Sequence, residues 1–84
     1  MSVYVDDLRE WNGRRWCHLV GTDLEELDYF AVVKLGLKRK WKQTGRYTHY
    51  DLRPAMREKA LHKGARYLPT KELLKRIKPT EGAR

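Results

Sequence analysis

The sequence predicts a small α/β domain, a mixed sheet with interleaved helices in the order β-β-α-β-α-β-α. Three observations carry this. Short stretches rich in valine and tyrosine alternate along the chain, as in "SVYVDDL" (2–8) and "YTHYDL" (47–52). Amphipathic runs with start and stop signals separate them, the clearest being "TDLEELDYFAVVKLGL" (22–37). The 84 residues hold no repeat and no low-complexity segment, which suits one domain. That domain is expected over 1–79, with 80–84 a frayed tail.

The elements follow in order. In the first strand, Val3 and Val5 face one way and Tyr4 and Asp6 the other. Asn12-Gly13 favours a type I′ hairpin turn, because both residues tolerate positive φ. "RWCHLVG" (15–21) is the second strand, with Trp16, His18 and Val20 on one face and Cys17 and Leu19 on the other. Thr22 and Glu25 form a capping box for the helix over 22–37, and acidic residues crowd its first turn. Gly36 is its left-handed stop. "KRKWKQTGRYTH" (38–49) reads as an irregular connection, followed by the third strand over 47–52. Pro54 suits the first turn of a helix over 54–64, closed by Gly64. "ARYLP" (65–69) is a short fourth strand, and Thr70 caps a last helix over 71–78.

Composition bounds the function. One cysteine, Cys17, excludes an intrachain disulfide, fits a cytoplasmic setting and reads as a buried, inert thiol. No run approaches the roughly 20 apolar residues of a membrane span, so no membrane partner is expected. A domain this small is marginally stable alone, and a homo-oligomer is the expected remedy. Charge is divided: residues 1–33 carry a net −4 and residues 34–84 a net +12. The basic half points to an anionic partner, nucleic acid included.

Several residues could carry chemistry. "KRKWKQ" (38–43) sets Lys38, Arg39, Lys40 and Lys42 around Trp41, the combination that holds bases and phosphates, with Gln43 closing it. Alternation in "THYDL" (48–52) presents His49 and Asp51 on one face and turns Tyr50 to the other with Thr48 and Leu52. A carboxylate two residues from an imidazole can orient its ring, as acid and base or as a grip on a ligand. The start of the helix at 54 follows directly; its free amides suit a phosphate, and Arg57 lies within reach. Asp6 and Asp7 end the first strand, where one could enter a pocket or cap a turn. His18 gains interest only if His49 comes near. Asp6, His18, His49 and Asp51 would together suffice for a divalent metal, but the sequence contains no CxxC, HExxH or HxH spacing. No metal or other cofactor is therefore predicted. The absence of a Walker loop, GxGxxG and nucleophile elbow excludes the standard NTPases, dinucleotide enzymes and serine hydrolases.

"YVDD" (4–7), "W-x-H-L" (16–19), "TDLEEL" (22–27), "LGL" (35–37), "R-x-W-x-Q" (39–43), "HYD" (49–51) and "R-x-x-A-x-x-x-GA" (57–65) resemble the small family catalogued as domain of unknown function 4031. The resemblance covers about residues 2 to 75. It implies bacterial or phage occurrence, no established activity, and fixed polar positions at Asp6, Asp7, His18, Arg39, Trp41, Gln43, His49, Tyr50, Asp51 and Arg57. The chain departs from the family pattern at Ala55-Met56-Arg57, where many members read Ser-Lys-Arg, and at Asp28, where many have histidine. Those losses favour binding over obligate catalysis. The leading expectation is a binding protein for a nucleotide-derived small molecule, in a phage setting one that sequesters a host defence signal. The alternatives are a metal-dependent or His/Asp-based phosphodiesterase or nuclease, and a general nucleic-acid binder.

Overall fold

The computed structural model describes residues 2–77. The tail expected at 80–84, and the last residue of the helix expected over 71–78, lie outside these. The elements are β1 (Val3–Val5), β2 (Arg9–Trp11), β3 (Arg14–Gly21), α1 (Leu24–Tyr29), β4 (Tyr50–Leu52), α2 (Pro54–His62), β5 (Arg66–Tyr67) and α3 (Thr70–Arg76). A π-helical turn (Phe30–Lys34) extends α1, and a 3-10 turn (Arg39–Trp41) interrupts the irregular connection. The α/β class stands, but the expected order gains a strand.

That extra strand comes from a break in the first one. β1 and β2 both run antiparallel to β3, and Val5 faces Leu19 while Arg9 faces Trp16. Four steps along the first segment thus match three along β3, so one surplus residue is accommodated within Asp6–Leu8, as at a β-bulge. β3 is the spine of the five-stranded sheet. β4 pairs antiparallel on its far side, with His18 opposite Asp51, and β5 runs parallel to β1 at the other edge. The β2–β3 turn has Asn12 and Gly13 both at positive φ, as the Asn-Gly pair predicts.

The pleat sorts the side chains into two faces. Val3, Val5, Cys17, Leu19, Tyr50 and Leu52 turn to the main core, where α1 and its π turn contribute Leu27, Phe30, Ala31 and Leu35 and α2 contributes Ala60. Tyr4 and Val20 turn to the opposite face, against Leu73 and Ile77 beside α3. Helices therefore cover both faces of the sheet. α3 shields only part of its face, which leaves Trp16, His18 and Asp51 on the open remainder.

Two expected caps differ in the structure. Asp23, rather than Thr22, caps α1: its carboxylate accepts from the Glu25 N–H at 3.0 Å. Thr22 is held by the β1 side instead, its N–H donating to the Ser2 carbonyl at 3.1 Å. Thr70 does not cap α3, because its hydroxyl is drawn to Asp6. Past Tyr29 the helix widens, with the Leu35 N–H donating to the Phe30 carbonyl, and it ends at Gly36 with φ +77°.

Both carboxylate oxygens of Glu26, in the first turn of α1, are buried without a hydrogen-bond partner. A buried acceptor left unpaired costs about 1–3 kcal/mol. Glu26→Leu is therefore expected to raise the unfolding free energy, read as an increased urea midpoint. A lowered midpoint would show that the carboxylate is supported in solution.

Candidate functional site

The break at Asp6–Leu8 sets up the first part of the site. Asp6 is fully buried, and its carboxylate accepts from the His18 backbone N–H (2.7 Å) and the Thr70 hydroxyl (2.9 Å). Its Oδ2 lies 2.8 Å from His18 Nδ1. Burial alone would push this carboxyl up, but the bonds from His18 and Thr70 outweigh it and hold it below the ordinary value. The same pairing raises the His18 imidazole above its ordinary value, against the effect of burial. The Asp6 carbonyl accepts from Arg57 Nε at 3.0 Å. Arg57 also lies over the Tyr67 ring, and the Tyr67 hydroxyl donates to Asp7 at 2.5 Å.

The second part comes from β4 and the segment before it. His49 pairs with Gln43 through two backbone bonds, which brings the end of the basic segment alongside. His49 Nδ1 lies 3.0 Å from the Tyr47 carbonyl, and its Nε2 lies 3.4 Å from Asp51 Oδ1. The His18 and His49 rings meet edge to face with centroids 5.0 Å apart. His18, His49 and Asp51 meet on the open face, with the buried Asp6 behind His18, so the four residues that the sequence could group only on the condition that His49 comes near His18 do converge.

Tyr50 does not belong to that group. Fully buried on the other face, it donates its hydroxyl to Asp28 at 2.9 Å. Asp28 also accepts from Lys42 at 3.0 Å and Arg39 at 3.3 Å. Burial, reinforced by the bond to this carboxylate, pushes the Tyr50 hydroxyl up to about 12 from an ordinary 10.0. For Asp28, burial pulls upward, but the bonds from Lys42 and Tyr50 prevail and hold its carboxyl low. Tyr50 keeps its proton more firmly folded than unfolded. Its contribution to stability is complete below pH 10 and disappears as pH rises through about 12. Tyr50→Phe is expected to lose about 1.5–3 kcal/mol at neutral pH, the worth of a bond to an ionised acceptor. The gap between wild type and variant closes across pH 10 to about 12. Denaturation as a function of pH checks this; a gap unchanged across that window would refute it.

A cleft of about 940 Å³ opens beside the His/Asp group. Trp11 and Trp16 of the hairpin, Trp41 of the 3-10 turn, and His18 and Asp51 line it, with Met56 at the start of α2. These are all three tryptophans of the chain. Trp41 is 49 % exposed and Trp11 70 %, so neither serves the core. Arg9, Lys40 and Arg53 supply positive charge at the walls. The Arg53 guanidinium lies 5.4 Å from the Trp16 ring centre, and Lys38 Nζ 5.7 Å from that of Trp41.

The ten residues singled out by sequence thus fall into three groups. His18, Trp41, Gln43 and Asp51 line the cleft, with His49 between His18 and Asp51. Arg39 and Tyr50 converge on Asp28. Asp6, Asp7 and Arg57 form the support behind His18. Sequence reasoning did not assign Trp11, Arg53 or Thr70 to the site. An aromatic residue beside an Asn-Gly turn was the available signal for Trp11. For Thr70 none exists, since 64 residues separate it from Asp6. Cys17 is buried on the core face, where burial and then the Asp6 charge push its thiol up to about 12, consistent with an inert role.

The family described as "Protein of unknown function (DUF4031)" matches residues 3–80. Neither a curated protein nor a solved structure matches the chain.

Proposed function

Since the chain belongs to this family of unknown function, its role rests on the site itself, and we propose that it binds a nucleotide or nucleotide-derived phosphorylated ligand in the tryptophan cleft. The carrying observation is that all three tryptophans line one cleft together with Arg9, Lys40 and Arg53. Exposed indole faces beside cations suit a base and its phosphates, since stacking accepts any base and the cations neutralise the anion. The first amides of α2, at Ala55 and Met56, border the same cleft and have no intrahelical acceptor. His18 and Asp51 supply polar contacts that could fix a sugar or a base edge. Cyclic and ADP-ribose-type signalling nucleotides, the currency of host defence, belong to this ligand class.

Calorimetric titration against a nucleotide panel tests the reading. Trp41→Ala is expected to weaken binding by about 1–3 kcal/mol, the worth of one stacked base. Because Trp41 is half exposed, its loss should leave the fold intact. No heat with any panel member would remove the reading. Binding only to oligonucleotides, with a steep loss of affinity in salt, would shift it to general nucleic-acid binding.

One observation favours a second reading, the convergence of Asp6, His18, His49 and Asp51. In phosphodiester hydrolysis, a water oxygen would bond to phosphorus while the ester P–O bond breaks. Asp51 would take the water proton and His49 would protonate the leaving oxygen. Release of a phosphomonoester from a chromogenic diester, lost in His49→Asn, would support it. An inert wild type would dismiss it.

A further inference from the structure

We propose that His18, His49 and Asp51 form a binding site for a divalent transition-metal ion, Zn²⁺ foremost, with Asp6 as its supporting carboxylate. The inference rests on neither functional reading, because a metal can bind whether or not the cleft takes a nucleotide.

The fold brings the donors together in a definite way. His18 and Asp51 are register partners on β3 and β4, and His49 lies two residues before Asp51 on the same face. One ligand atom from each of the three lies within 4.8 Å of the others. In tetrahedral zinc, bonds of about 2.0–2.1 Å place neighbouring donors roughly 3.3 Å apart. The His49–Asp51 pair is already at 3.4 Å, so only a modest inward movement of the His18 side completes the triangle.

The tautomers argue more strongly than the distances. His18 Nδ1 faces the Asp6 carboxylate, and His49 Nδ1 faces the Tyr47 carbonyl. Both partners only accept hydrogen bonds, so each Nδ1 carries a proton. In the neutral rings each Nε2 is then left with its lone pair. Two imidazoles anchored at Nδ1, with Nε2 unprotonated in the neutral ring, are oriented as metal ligands are, and a carboxylate on the far nitrogen raises the basicity of the ligand. Asp6 is itself fixed by Thr70 and by the His18 N–H. Two imidazoles and a carboxylate suit Zn²⁺ or its neighbours in the first transition row better than Mg²⁺ or Ca²⁺. Three protein ligands leave a coordination position open, and His18 and Asp51 both border the cleft.

The competing arrangement is an imidazolium held by carboxylates, which needs no metal. Calorimetry with Zn²⁺ on the chelator-stripped full chain separates the two, with Co²⁺ absorption in the visible as a second readout. Saturation at one equivalent is expected. His49→Asn keeps a donor for the Tyr47 carbonyl but lacks a group equivalent to Nε2, and Asp51→Asn removes the anionic ligand. Each should weaken binding by more than the roughly 10–100-fold that loss of an outer-shell partner costs. His62→Asn alters the remaining histidine, exposed on α2, and should leave binding unchanged. Circular dichroism confirms the folding of each variant. No saturable binding, equal affinity in the folded His49 and Asp51 variants, or loss in His62→Asn would overturn the proposal.

Discussion

Asp6→Ala is expected to lower the unfolding free energy by about 3–5 kcal/mol, because it strips the ionised acceptor from three hydrogen bonds, each worth about 1.5–3 kcal/mol before overlap. The carboxylate is fully buried and joins three elements: β1, which it ends; β3, through the ring and backbone of His18; and α3, through Thr70. Alanine leaves the donors from His18 and Thr70 without their acceptor at once. A small domain commands only about 5–15 kcal/mol in total, so the variant should be close to unfolding at moderate temperature. At about 4–8 °C per kcal/mol, its Tm should fall by more than roughly 12 °C. Asp6→Asn preserves the shape and one acceptor oxygen and should lose less. Equal losses for the two variants would show that charge, not shape, holds this junction. A loss under about 1 kcal/mol for alanine would remove Asp6 as the clamp.

Leu19→Ala is expected to lose about 2–5 kcal/mol. Leu19 is fully buried and stands where the sheet is most completely paired, opposite Val5 on one side and Tyr50 on the other. Truncation removes apolar contacts and leaves a cavity in the main core between the sheet and its helices. Because His18 is the next residue on β3, the relaxation should also disturb the His/Asp group. Urea denaturation gives the stability loss, and histidine side-chain NMR reports the local change. A loss well below 1 kcal/mol would place Leu19 outside the cooperative core.

Much of this arrangement was legible in the sequence wherever a short-range rule governed it. Alternation in "THYDL" put His49 and Asp51 on one face and Tyr50 on the other, because the strand period is two and Tyr50 and Leu52 must reach the core. Asn12-Gly13 and Gly36 were readable because positive φ is a local demand. The break at Asp6–Leu8 was not, since nothing in "VYVDDL" records how β3 is registered against it. Thr70 looked like a helix cap because local signals cannot report that a buried carboxylate 64 residues earlier competes for its hydroxyl. Arg57, expected at the mouth of α2 to hold an anion, is engaged instead by a carbonyl 51 residues away and by the Tyr67 ring. The tryptophans illustrate the same limit. Trp41 stood out by its basic neighbours, but only the fold brings Trp11 and Trp16 of the hairpin to the same cleft.

Within the sheet, the outer strand of that hairpin, β2, pairs with β3 alone. β2 is exposed throughout, and no residue from Arg9 to Trp16 belongs to either buried cluster. One wall of the cleft can therefore be rewritten without disturbing the interior. Substitutions at residues 9–15 would reshape that wall while leaving both buried clusters in place.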